Sequence, residues 1–167
     1  NSFTDRISLV QGPPGTGKTT VCDAIVNAHH RIDSQNPSEV TKILCCAVSN
    51  YAVDNMFEKV VKSLPSHVLR SGDVSSISSW ILNEHEDCVF DWLSQQALAE
   101  AVSNGEYKHA HTKAALKAQR NRFEPKILNQ RGLVFAPLAS TLGIASMRGQ
   151  EYAHVLVDEA GQAAEPD

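Results

Sequence analysis

Hydrophobic positions along the chain switch repeatedly between two spacings. Short, nearly unbroken apolar runs recur at Ile7-Ser8-Leu9-Val10, Lys42-Ile43-Leu44-Cys45-Cys46-Ala47-Val48, His67-Val68-Leu69-Arg70, Leu133-Val134-Phe135-Ala136 and Ala153-His154-Val155-Leu156-Val157. Runs of this kind, without polar alternation, suit parallel strands buried on both faces. Between the first two, Val21, Ile25, Val26 and Ala28 repeat at helical spacing and predict a helix from Lys18 to about His30, leaving through a turn at Asn36-Pro37-Ser38. His29 and His30 would then close that helix, where positive charge suits the dipole. Val53, Phe57, Val60 and Val61 predict a second helix from Tyr51 to about Leu64, capped by Ser49-Asn50 and stopped by Pro65. Strands alternating with helices imply an α/β fold on a parallel sheet.

From Val74 to about Gln130 the alternation stops. Two long helical patterns replace it, one through Ile77, Trp80, Ile81, Phe90, Leu93, Ala97 and Ala101, the other through Leu116, Arg120, Phe123 and Ile127. Residues 74–130 therefore read as a helical insertion within a sheet domain made of 1–73 and 131–167. Its first half is acidic, with Glu84, Glu86, Asp87, Asp91 and Glu100. Its second half is basic, with Lys108, Lys113, Lys117, Arg120, Arg122, Lys126 and, just beyond it, Arg131. Two antiparallel helices with complementary solvated faces would explain this, and so would a basic ridge beside a nucleic-acid path. Pro125 is expected to kink or restart the second helix, because it has no N–H to donate.

Chemistry enters at Gln11-Gly12-Pro13-Pro14-Gly15-Thr16-Gly17-Lys18-Thr19-Thr20, which lies between the first apolar run and the first helix. The string fits the phosphate-binding loop G-x-x-x-x-G-K-S/T. Glycines let backbone N–H groups curl round phosphate oxygens, and the start of the helix adds its positive end. Lys18 would reach the β- and γ-phosphates of ATP, and the Thr19 hydroxyl suits Mg²⁺. The last apolar run ends in Asp158-Glu159, an acidic pair at a strand's C-terminal end. Asp158 would hold magnesium through water, and Glu159 would be the general base that orients the attacking water.

The rest of the composition narrows the setting. A net charge of -4 gives no global basic signature, so any nucleic-acid contact must be local. Cys22, Cys45, Cys46 and Cys88 lack C-x-x-C spacing and read as reduced core thiols. His109 and His111, two apart, point to different faces of a helix and do not read as a metal pair. No run approaches a membrane span and no signal peptide opens the chain, which together suggest a cytoplasmic or nuclear setting without a membrane partner.

The three segments Gln11 to Thr19, Ser49-Asn50-Tyr51-Ala52-Val53-Asp54 and Asp158-Glu159-Ala160-Gly161-Gln162-Ala163-Ala164-Glu165-Pro166 together resemble motifs I, Ia and II of superfamily 1 helicases. The resemblance is to the group that contains the nonsense-mediated decay helicase and senataxin. It implies a RecA-like P-loop NTPase domain, the first of two motor domains, with ATP and Mg²⁺ as cofactors. Ser49, Asn50 and a Ser140-Thr141 turn would face the backbone of a single strand, RNA in preference to DNA, with 5′ to 3′ movement. The group's adenine-recognising glutamine segment is expected before Asn1, and motif III and a second motor domain with arginine fingers beyond Asp167. The 167 residues would then be cut at both ends and hold half a catalytic site, binding ATP weakly without turnover. AAA+ ATPases share the Gly-Pro-Pro-Gly-Thr-Gly-Lys-Thr string but place the acidic pair at roughly half the separation. A module that binds nucleotide or nucleic acid without turnover is the remaining alternative.

Overall fold

The computed structural model describes residues 7–13, 15–35, 41–104, 125–143 and 151–163. Four parallel strands, β1 (Ile43–Ala47), β2 (Val68–Arg70), β3 (Leu133–Pro137) and β4 (His154–Asp158), form one sheet in the order β2-β3-β1-β4. Ala47 lies beside Pro137 on one side and Asp158 on the other, so β1, β3 and β4 finish level and their C-terminal ends make one rim. β1 and β2 lie within predicted apolar runs, and β3 and β4 each extend one residue beyond theirs, to Pro137 and Asp158.

The run Ile7-Ser8-Leu9-Val10, expected as the first strand, is not a strand here. Among the described residues β4 pairs only with β1 and nothing pairs with 7–10. Without a neighbour to take its N–H and C=O groups an apolar run gains nothing from extending into a ladder. Ile7 and Leu9 are accordingly 81% and 91% exposed.

Helix α1 (Lys18–Gln35) runs past the expected end at His30, and Asp33 in its last turns accepts the Thr41 N–H at 2.8 Å and hydroxyl at 2.7 Å just before β1. His29 and His30 therefore sit inside the helix rather than at its end. Their rings meet those of His154 at 4.1 Å and His67 at 4.6 Å. Helix α2 (Asn50–Val61) is capped by Ser49, whose Oγ accepts the Ala52 N–H at 3.1 Å. Val53, Phe57, Val60 and Val61 are all buried, as the spacing predicts. Phe57 meets Phe135 edge-on at 5.6 Å, so one face of the sheet closes over α2.

The first helical pattern of the insertion is broken into pieces: a 3₁₀ turn at Val74–Ser76, α3 (Ser79–Glu84), a second turn at Glu86–Cys88, and α4 (Phe90–Ser103). One break falls at Ser78, which hydrogen-bonds Asp54 through both N–H and hydroxyl instead of continuing a helix. Residues 125–130 form a further helix, α5. Ile77 and Ile81 join the core under α2, while Phe90, Ile127 and Leu128 cover Leu44, Cys46, Leu69 and Val134 on the opposite face. Lys108, Lys113, Lys117, Arg120 and Arg122 lie outside the described residues, as do His109 and His111. Arg131 is engaged locally, donating to the carbonyls of Pro65, Ser66 and Asp87. No helix among the described residues is long and apolar enough to cross a membrane. Cys45, Cys46 and Cys88 are buried free thiols, and Cys22 is half-buried.

Candidate active site

The P-loop turns on two glycines. Gly15 and Gly17 have φ of 78° and 91°, which a side chain would resist, and the second hands the chain to α1. Gly17 then takes the first helical bonds, accepting the N–H groups of Thr20 at 2.9 Å and Val21 at 3.1 Å. At Gly12 a Cβ would come within 2.7 Å of the Thr16 hydroxyl, so the loop is too tight for anything larger. Thr16 Oγ1 donates to the Pro13 carbonyl at 2.8 Å. Lys18 folds back over the same loop, its Nζ donating to the carbonyls of Gly12 at 2.8 Å and Pro13 at 2.9 Å. Pro14 lies outside the described residues.

Across the rim, β4 delivers the acidic pair. Thr19 Oγ1 donates to Asp158 Oδ2 at 2.9 Å, joining residues 139 positions apart, and Asp158 Oδ1 accepts the Glu159 N–H at 2.9 Å. A hydroxyl and a carboxylate at this separation are the hard oxygen donors that Mg²⁺ takes, an ion that keeps most of its waters and needs one or two protein ligands. The donor set fits the ion. Glu159 is the one non-glycine with positive φ among the described residues, at φ 54° and ψ 30°. The left-handed turn costs on the order of 1 kcal/mol and falls at an exposed carboxylate directly after the strand. Half-buried beside the site, the Cys22 thiol has its pKa raised by burial and by the Asp158 charge, so it stays protonated.

The residues expected to face a strand also reach this rim, with other engagements. Ser49 caps α2, and Asn50 Oδ1 accepts from Arg70 Nη2 at 3.0 Å. Ser140 and Thr141 belong not to a turn but to a short helix, α6 (Leu138–Gly143), that starts directly from β3. Thr141 Oγ1 donates to the Leu138 carbonyl at 2.7 Å, one helical turn back.

Comparison with known proteins bears on the same residues. A family model described as an AAA domain matches residues 2–81, which hold the P-loop and the Ser49-Asn50 turn. Over 96% of its length the chain is 33% identical to the ATP-dependent helicase NAM7 of Saccharomyces cerevisiae, an alignment that also takes in the acidic pair. The chain belongs to the superfamily 1 helicases of the nonsense-mediated decay group. Other relatives agree with this placement in the helicase group. The regulator of nonsense transcripts 1 homolog of Neurospora crassa is 28% identical over 99% of the chain. The DNA polymerase alpha-associated DNA helicase A of Schizosaccharomyces pombe is 28% identical over 96%. The chain spans 16%, 15% and 26% of the lengths of these three helicases.

Two features of this helicase domain escaped the sequence. Lys59 of α2 donates to Thr20 Oγ1 at 3.0 Å, placing a second cation against the start of α1. Arg70 and Asp54 pair at 2.7 Å with side chains 0% and 4% exposed. A signal was available for the pair. Asp54 stands among the inward positions of its helix, and Arg70 closes an apolar run, so each charge was headed for the interior.

Proposed function

We propose that this helicase domain binds and hydrolyses ATP as one half of a motor that moves along single-stranded nucleic acid, RNA in preference to DNA. The hydrogen bond between Thr19 and Asp158 is the observation that carries the reading, because it joins the P-loop to the acidic pair at the rim where the strands end. Gly12, Pro13, Gly15, Thr16, Gly17 and Thr20 form the cradle, to which Pro14 is assigned from the motif. Lys18 exchanges the Gly12 and Pro13 carbonyls for phosphate oxygens, so that its ammonium meets charged acceptors in place of uncharged ones. Thr19 and Asp158 would hold Mg²⁺, which would supply positive charge against that of the nucleotide's phosphates. Glu159 accepts the proton of the attacking water.

The neighbouring rim takes the strand. Ser49, Asn50, Ser140 and Thr141 offer uncharged hydroxyl and amide groups, which suit contact with a sugar-phosphate backbone and carry no base information. Preference for RNA follows the relative whose name refers to nonsense transcripts, and another relative is named a DNA helicase. A second motor domain of the same protein supplies arginines to the γ-phosphate, and the setting is cytoplasm or nucleus.

A phosphate-release assay on the whole natural protein containing these residues, with single-stranded RNA and DNA, tests this. Strand-stimulated turnover is expected. Glu159→Gln should keep nucleotide binding and cut turnover by roughly 10²–10⁴, since an amide cannot accept the water's proton. Wild-type turnover by Glu159→Gln would remove it as the base. Nucleotide binding without turnover in the wild type would leave a binding module.

A further inference from the structure

Beneath the turn from β1 to α2 lies a charged cluster that the nucleotide site does not use. Arg70 has no exposed surface, and its guanidinium is shared among neighbours. Nε donates to Asp54 Oδ1 at 2.7 Å, Nη1 to the Ser71 carbonyl at 2.5 Å, and Nη2 to Asn50 Oδ1 at 3.0 Å. The other Asp54 oxygen accepts the Ser78 N–H at 2.9 Å and its hydroxyl at 2.5 Å. One ion pair therefore ties the first turns of α2 to the end of β2 and the start of α3.

The backbone holds the cluster from above. Gly72 follows at φ 144°, and a Cβ there would lie 3.1 Å from Arg70 Nη1 and 3.4 Å from Pro137 Cδ. The chain leaving β2 thus passes over the guanidinium and against the end of β3. A buried ion pair stabilises little compared with apolar residues of the same volume, so its effect is better sought in what it orients.

What it orients is an amide. Arginine carries donors only, so the Asn50 group that faces it must be the oxygen, and the choice between oxygen and nitrogen is fixed by chemistry. The Nδ2 limb then points away from the guanidinium. Its two N–H donors have no partner among the described residues, and Asn50 is only half-buried. We infer that Arg70 and Asp54 are positioning residues that lock the Asn50 amide with its donors turned outward, set to hold phosphodiester or sugar oxygens of a single strand. An amide free to turn over would present its oxygen to the phosphate in one of its two orientations, where two acceptors repel. This inference rests on the strand-binding reading above, and goes beyond it by naming what fixes the geometry of that contact.

The test is a double-mutant cycle read by fluorescence anisotropy of a labelled single-stranded RNA on the whole natural protein, with thermal unfolding run alongside to confirm folding. With Asn50 present, Arg70→Lys should weaken strand binding by roughly threefold to tenfold, a coupling usual within one hydrogen-bond network. In the Asn50→Ala background the same change should add almost nothing. Equal losses in both backgrounds would show a purely structural role and overturn the inference. If Arg70→Lys does not fold, Asn50→Asp decides: it keeps an acceptor for Arg70 but has no donors, so it should fold and bind the strand at least about tenfold more weakly. Wild-type affinity in Asn50→Asp would overturn the inference alone. No strand binding by the wild-type protein would instead bring down the strand-binding reading first and the inference with it.

Discussion

At β1 and β3 every position is covered, whereas at β4 cover alternates, and Val155 and Val157 remain 56% and 39% exposed. The helices repeat the contrast. α2 buries seven of its 12 residues, while α1, with 18, buries Val26 fully and leaves Val21 exposed. Yet Lys18, Thr19, Asp158 and Glu159 belong to the lightly covered flank. Folding free energy is concentrated in α2, β1 and β3, and the candidate chemistry is attached beside it. Side-chain changes should therefore act through stability on one flank and through ligand binding on the other.

The largest expected effect is at Phe57, fully buried against Phe135. Phe57→Ala should destabilise the domain by about 3–5 kcal/mol, whereas Val21→Ala should stay within roughly 0.5 kcal/mol in the same denaturant titration. A comparable loss at Val21 would erase the contrast between the flanks. Next comes Lys18→Ala, which should leave the unfolding midpoint in place but weaken ATP-Mg binding by roughly tenfold to a hundredfold, the worth of one charge-assisted contact. Calorimetry on the two proteins measures it, and equal affinities would make the loop structural.

A smaller effect sharpens the comparison at the opposite rim, where α1 touches both sheet edges through histidines. The His29 pKa is lowered by burial and then by His154, with Asp33 opposing. That of His67 is lowered by burial, then by His30 and Arg131. A lowered folded pKa means that the unfolded chain takes up protons first as pH falls. The stabilisation is therefore present above the ordinary histidine value of about 6.5 and is lost on acidification through the depressed folded values. Melting temperature should fall between about pH 7.5 and 5.5. His29→Gln with His67→Gln should flatten that slope, and an unchanged slope would assign it to other groups.

The sequence disclosed whatever was written in consecutive residues. The P-loop and the Asp158-Glu159 pair are local strings, and β1, β3 and β4 are apolar runs that need no partner to be recognised. Ile7-Ser8-Leu9-Val10 looked the same and is not a strand, because pairing depends on a neighbour that periodicity cannot supply. α1 outlasts its apolar repeat for a related reason: Asp33 is held by Thr41, a contact across the turn that follows. The resemblance implies a turn at Ser140-Thr141, and nothing local marks the helix that begins at Leu138, directly after the last residue of β3. Arg70 and Asp54 could each be assigned to the interior from the apolar pattern, but their contact could not, since their separation of 16 positions is bridged by the β1-α2-β2 crossover.

The Thr19 to Asp158 hydrogen bond also orders events in time. Closing a loop of 139 positions is a late, entropically costly step compared with forming the turn of the P-loop. During synthesis the cradle and α1 emerge early, followed by β1, α2 and the helices after them, while the carboxylate arrives only with β4. A nascent chain that has reached β3 thus has lysine and threonine but no acid to set against them. Nucleotide held by both halves would report that β4 has found its place beside β1, making ligand binding a check on completed folding.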